Sequence, residues 1–403
     1  MKLLIYEWNS YLQYDLKQLC KEKGIETVLF SWKFTNKNVD DRFRDWFRKN
    51  VQLNTFDAVI SINYFPLISE ACKEQNTPYI AWCYDNPLNV VEIEETLGNA
   101  NNYVFFFDKV QTQFYLNKGF ETVYYAPLGV NRTRLEQLSL SNVDYSEFGC
   151  DVSFVGSLYE SRIHEIMSVV GEYERGYLKA LMNAQQNLYG YYLFDEMVTD
   201  DFVAGINDRI QRKNPETEFV LLKEALTFAM ASEVTRKDRL VLLTLLGKRF
   251  DTKLYSFQSS EVLQGVSVHA PIDYVSQMPK VFATSKINLN PILRCIQSGI
   301  PLRALDVMGA GGFLLSSYQP ELLEYFLPDK EMVVYDNMED AVEKATFYLT
   351  HESFREKICR NGQRKVLTDF NLQDRLNQIL RVVLDDRNGV TGRRGLTIVH
   401  NYE

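Results

Sequence analysis

Histidine is scarce in this 403-residue chain, with four copies. The six cysteines, Cys20, Cys72, Cys83, Cys150, Cys295 and Cys359, are scattered without a CxxC pair or a histidine-rich neighbour. Neither a structural zinc site nor a disulfide framework is indicated, and this usage fits a reducing, cytoplasmic setting. No Asp-x-Asp triplet occurs, so no carboxylate clamp for a metal is expected. Apolar runs fall short of the roughly 18 residues of a membrane-spanning helix. Met1-Lys2 is followed by only a few apolar residues before Glu7 and Asn9, too short a stretch for a signal peptide. No integral membrane segment is expected. Positive charge is in short supply as well, since 44 Lys and Arg against 53 Asp and Glu leave a net charge of −9. That balance argues against sequence-independent nucleic-acid binding, which needs a basic face. Small molecules or protein partners are the expected ligands.

What is present is apolar mass with a βα rhythm. Hydrophobic residues make up 46% of the chain, enough for more than one core at this length. Short apolar runs alternate with amphipathic helices from Lys2 onward: Ala58 to Ile62, Tyr79 to Trp82, Tyr103 to Phe107 and Val123 to Tyr125 read as buried strands. Such runs imply a parallel sheet with helices on both faces, and a first domain is placed at residues 1–135. A second sheet starts at Asp151 to Ser157 and belongs to a domain at residues 151–385. From about residue 162 to 247 the strand pattern stops and the composition is helical, which reads as a helical insertion after the first strand of that domain. Strands resume at Lys253 to Phe257, Val266 to Val268, Lys286 to Asn290, Phe313 to Leu315 and Met332 to Val334. Residues 386–403 have the composition of a tail.

The densest chemistry lies in SGIPLRALDVMGAGGFLLSS, Ser298 to Ser317. Gly299 and Pro301 read as a tight loop opening a helix, whose first N–H groups and positive dipole end suit an anion. Arg303 adds a planar donor fork matched to phosphate oxygens. Asp306, on the same helix, suits sugar hydroxyls, and Gly309 to Gly312 let the chain turn into the next strand. Ligands of doubly wound sheets bind at the carboxyl ends of strands. This brings in Gly156 and Ser157, His269, and Asn288 and Asn290 on the second sheet. On the first it brings in Asn63-Tyr64, Tyr84 to Pro87 and Asp108-Lys109.

The segment His269 to Phe326 resembles the donor-binding domain of GT-B glycosyltransferases of the spore-maturation-protein-like family. DVSFVGSLYESR at Asp151 to Arg162 and YIAWCYDNP at Tyr79 to Pro87 resemble its companion motifs, in the same order. The resemblance implies an α/β fold of two Rossmann-like doubly wound domains facing across a cleft, with a nucleotide-sugar donor held mainly by the second. It places Gly156 and Ser157 against the nucleotide, Arg303 and the loop of Ser298, Gly299 and Ile300 against the diphosphate and Asp306 at the ribose, while Asn290, on the polar face of an otherwise apolar strand, reads as lining the cleft. In many retaining GT-B enzymes two glutamates with seven residues between them occupy this loop. Here that spacing falls on Ser298 and Asp306, so the first carboxylate is missing, which tilts the reading towards inversion.

Inversion requires a base for the acceptor hydroxyl. Asp85 is the first choice, His269 and His164 the next. The leading expectation is a metal-independent glycosyltransferase using a nucleoside-diphosphate sugar, uridine-based by analogy. A nucleotide-sugar epimerase of the same fold and a non-catalytic nucleotide-binding scaffold are the alternatives. The acceptor stays open among protein, polysaccharide and small molecule, as does dimerisation through the helical insertion.

Overall fold

The computed structural model describes residues 1–387 apart from 35, 37–38, 53–54, 89 and 91; the expected tail from residue 388 onward lies outside the described residues. Contacts divide the chain into two compact units. The first comprises Met1–Arg134, Gly299–Leu302 and Val366–Glu403, and the second Leu135–Ser298 and Arg303–Lys365. The sequence places the second domain at residues 151–385; by contacts the chain from Val366 groups with the first unit. One tie is the main-chain pairing of Val130 with Asn371, beside Val130 N donating to Phe370 O at 2.8 Å.

The first unit carries strands β1 (Lys2–Glu7), β2 (Glu26–Ser31), β3 (Ala58–Ile62), β4 (Tyr79–Trp82), β5 (Asn102–Phe106) and β6 (Val123–Tyr125). They form one sheet in the order β2-β1-β3-β4-β5-β6. Every pairing is parallel. All residues of β3, β4 and β5 are buried, as expected where helices cover both faces and no side chain of the strand reaches water. The order reverses between β1 and β3, so the crevice at the carboxyl ends of these two strands is the switch point where doubly wound sheets take ligands.

The second unit repeats the plan with β7 (Val152–Val155), β8 (Thr252–Tyr255), β9 (Val266–His269), β10 (Ile287–Asn290), β11 (Leu314–Ser317) and β12 (Val333–Tyr335). Their order is β12-β11-β10-β7-β8-β9, again parallel throughout. Here the switch point lies between β7 and β10. Between β7 and β8 run the helices Ile163–Val169, Glu172–Gln186, Phe194–Met197, Asp200–Lys213 and Lys223–Gly247, where the sequence places a helical insertion. They enclose a core of their own that includes Leu178, Phe194, Leu226 and Met230, all fully buried. The longest of them, Lys223–Gly247, then continues onto the sheet through Leu242, Leu243 and Leu246. It is buried on nearly all sides because it serves both cores.

Candidate functional site

At the switch point of the second unit, β7 ends at Val155 and releases Gly156 and Ser157, while β10 ends at Asn290 and releases Pro291. One side chain ties the two ends together. Arg239, 8% exposed on the long insertion helix, donates through Nε and Nη2 to Pro291 O at 3.2 and 2.7 Å and through Nη1 to Ser157 O. Its guanidinium lies over the rings of Tyr159 and Phe154, 4.7 and 5.0 Å from their centroids. Three of its five N–H groups are thus spent on carbonyls and none on a carboxylate. Burial is the main cause lowering its pKa, and the charge of Arg303 lowers it further.

Arg303 projects from the first turn of the helix Leu302–Gly309, which packs Ala304, Leu305, Val307 and Met308 into the interior. Its guanidinium is half-buried, lies 5.4 Å over the Phe282 ring and touches Met278 Sδ. Among the described residues no carboxylate forms an ion pair with Arg303 or with Arg239. Two cations close enough to repel each other, neither in a direct ion pair with an acid although Asp238, itself paired with Arg294, favours the charged form of Arg239, mark a place that favours an anion.

The remaining residues of the loop are spent differently from one another. Ser298 is buried, and its Oγ donates to Oε1 of Glu321 at 2.7 Å while Glu321 N donates to Ser298 O at 3.1 Å. Gly299 groups with the first unit: its N–H donates to Asp108 Oδ2 at 3.1 Å, and a Cβ on it would stand 2.7 Å from Phe107 and 2.9 Å from Asp108 Cα. Only glycine fits that approach. Ile300 is buried at 3% exposure, a packing role. Asp306 is also buried and accepts from Tyr274 Oη at 3.1 Å. The expected turn after this helix is present, with Gly311 at φ +81° in the left-handed region.

Two sequence-selected residues are committed to the sheet. Asn290 Nδ2 donates to Ser316 Oγ at 2.9 Å across the β10–β11 pair, and Asn288 links Ser153 Oγ to Phe282 O. Ser157 Oγ donates to Gln258 Oε1 at 2.8 Å on an otherwise exposed loop. His269 ends the edge strand β9, exposed and stacked on Tyr255 with ring centroids 5.1 Å apart. His164 lies in the first turn of the helix Ile163–Val169 and is exposed. Sequence reasoning missed Arg239 and Glu321. It also missed Arg294, whose ion pair with Asp238 at 2.7 Å and stacking on Tyr189 at 3.7 Å brace the chain after β10.

In the first unit, Asp85 stands on the loop after β4. Asn63, at φ +64° after β3, accepts from the backbone N–H of Tyr84 and Asp85 at 3.0 and 3.2 Å and donates Nδ2 to Asp85 Oδ2 at 2.6 Å. The carboxylate is accessible to solvent, yet protein crowding around it raises its pKa above the ordinary carboxylate value, with the Asn63 hydrogen bond opposing. Next to it, Asn86 is tied to Asp108 Oδ2 at 3.1 Å, and the Asn86-Pro87 peptide is cis.

The parallel order of each sheet and the strand-end loops can be compared with known proteins. Sucrose-phosphate synthase from Thermosynechococcus elongatus aligns with a TM-score of 0.53 at 12% identity, over 96% of this chain and 100% of that one. A glycosyltransferase from Rickettsia africae aligns with a TM-score of 0.51 at 9% identity, over 95% and 98%. Anabaena HepE in complex with UDP and glucose aligns with a TM-score of 0.50 at 11% identity, over 96% and 100%. The fold is GT-B. Residues 221–381 match a family described as glycosyl transferase-like, a stretch that holds Arg239, Arg294, Arg303 and Asp306 and leaves Asp85, Gly156 and Ser157 outside. No curated protein matches the chain. Among the described residues no group of three His, Cys, Asp or Glu side chains is placed to hold a metal ion, and no helix is long and apolar enough to cross a membrane.

Proposed function

We propose that this GT-B chain transfers a hexosyl group from a nucleoside-diphosphate sugar, with UDP as the nucleotide, to an acceptor bound by the first unit. The observation that carries the reading is the pair of guanidinium groups of Arg303 and Arg239, neither in a direct ion pair with an acid, at the switch point of the second sheet. In this reading Arg303 and the opening turn of its helix bind the diphosphate, and the two N–H groups Arg239 has left face the same charge. Gly156 and Ser157 pass against the nucleotide and Asp306 orients the ribose. Ser298, Gly299 and Ile300 shape the turn that aims the helix, and His269 flanks the donor. Similarity to the Anabaena protein whose complex holds UDP and glucose supports the choice of nucleotide and sugar class.

The chemistry balances without a metal. The acceptor oxygen forms a bond to the anomeric carbon as the bond from that carbon to the diphosphate oxygen breaks. The electron pair leaves on the nucleoside diphosphate, held by arginine, and the acceptor proton passes to Asp85. Attack opposite the leaving group inverts the anomeric centre. The spore-maturation-protein-like family remains the proposed affiliation. A panel of nucleotide-sugars incubated with and without acceptor extracts, read by mass spectrometry, tests the reading through donor cleavage. If UDP raises the melting temperature while every donor stays intact, the chain is a nucleotide-binding scaffold instead.

A further inference from the structure

Around Asp85, the switch point of the first sheet carries aromatic side chains that the proposed chemistry leaves unused. Trp8 follows β1 directly, Asn63 and Phe65 follow β3, and Tyr84 and Asp85 follow β4. The indole of Trp8 crosses the crevice and donates Nε1 to Ile62 O at 2.6 Å, while its backbone N–H donates to Gln13 Oε1 at 3.1 Å. Its ring centroid lies 6.4 Å from that of Tyr84, inclined at 31°, and 5.8 Å from that of Phe65, edge to face. The Tyr84 hydroxyl meets the Tyr11 backbone, and Asp85 is close enough to raise its pKa after burial has done so. All three rings are half-buried: one part is packed, another meets water.

These rings are held in place before any ligand arrives, so little ordering entropy remains to oppose binding. The ring surface they leave to water is apolar, and they stand beside a carboxylate and a carboxamide already joined at 2.6 Å. A pyranose ring has this same division, with a face of C–H groups and an edge of hydroxyls. A wholly apolar acceptor would leave Asp85 and Asn63 desolvated against it without hydrogen bonds, at a cost. An aryl acceptor would use the rings and leave most of the polar edge unmatched.

We infer that Trp8, Phe65 and Tyr84 form a shelf for the sugar ring of a saccharide acceptor, with Asp85 and Asn63 reading its hydroxyl edge. This inference rests on the glycosyl-transfer reading for its chemistry, while its binding half stands by itself. The test uses the full chain, a library of reducing-end methyl glycosides and a matched set of phenols. Ligand-observed NMR without donor measures binding, and transfer with a donor panel measures turnover. Glycosides are expected to bind and to serve as acceptors. Trp8→Ala should raise the acceptor KM about tenfold, the scale of one lost ring face, more than it moves kcat. Trp8→Phe, which keeps a flat face without the Nε1 bond, should recover most of the affinity and separates the shelf from a folding defect. Glycoside binding that ignores Trp8→Ala, acceptance of phenols alone, or no glycoside binding by the folded wild type overturns the inference. Intact donors alongside Trp8-dependent glycoside binding would instead count against glycosyl transfer and leave the shelf standing.

Discussion

Replacing Arg303 with methionine separates a ligand-binding arginine from a structural one. The methionine stem keeps the contact with Phe282 and Met278 and removes the charge. The free protein then loses a repulsion, because Arg303 is one of the groups depressing the pKa of buried Arg239. It also forfeits the cation–π contact of a half-exposed guanidinium on the buried Phe282 ring, worth about 0.5–1 kcal/mol. The melting temperature without nucleotide should therefore stay near that of the wild type. Nucleotide binding behaves differently. Hydrogen bonds to a charged group are worth about 1.5–3 kcal/mol, so the loss should be about 2 kcal/mol, or roughly thirtyfold in Kd. With UDP at a hundred times the wild-type Kd, the ligand stabilises the wild type by about 2.7 kcal/mol and the variant by about 0.9 kcal/mol. Differential scanning fluorimetry across a UDP series reads both quantities at once. A variant that melts like the wild type and keeps the full UDP shift would refute the assignment of Arg303 to the diphosphate. Lower stability with an unchanged UDP shift would make it a packing residue.

Asp85→Asn should lower turnover by about a hundredfold or more, the scale of a lost general base, while UDP affinity holds. Folding raises the Asp85 pKa, so its stabilising contribution is present in acid and lost as pH rises through the raised value; the Asn variant should melt above the wild type at neutral pH and match it in acid. Asp144 behaves oppositely. Hydrogen bonds from Lys280 and then Ser141 hold it down at about 2, so its stabilisation is present at neutral pH and vanishes as pH falls through that value. Asp144→Asn should melt below the wild type at pH 7, with the gap closing in acid denaturation; a gap that persists below pH 2 would disprove the coupling. Gly299→Ala should cost about 1–3 kcal/mol in urea unfolding, because its Cβ has no room beside Phe107 and Asp108. An unchanged midpoint would mean the loop yields at no cost.

The elements themselves were legible. Ala58–Ile62, Tyr79–Trp82 and Val123–Tyr125 are strands where their continuous apolar runs place them. Those runs can exist only where a sheet is covered on both faces, so local pattern and tertiary environment agree. The helix Leu302–Gly309 and its flanking turns were legible for a similar reason, since the Gly-Pro turn, the glycine cluster and Arg303 lie within one short stretch. Asn290 reads from the sequence as lining a cleft because its neighbours along the strand are apolar; its hydrogen-bond partner across the β10–β11 pair, Ser316, lies 26 residues away.

The sequence by itself determined the repeated βα plan, the helical insertion and the loop that presents Arg303, because each is written in contiguous residues. Only the tertiary structure decided which residues share a site. Arg239 reads locally as one more helical charge, and it becomes the clamp of the second switch point because β7 and β10, whose last residues Val155 and Asn290 are 135 positions apart, end side by side beneath it. Glu321 reaches Ser298, and Trp8 reaches Ile62, by the same route. Parallel sheets bring distant strand ends together, and the distance along the chain that separates them carries no local signal.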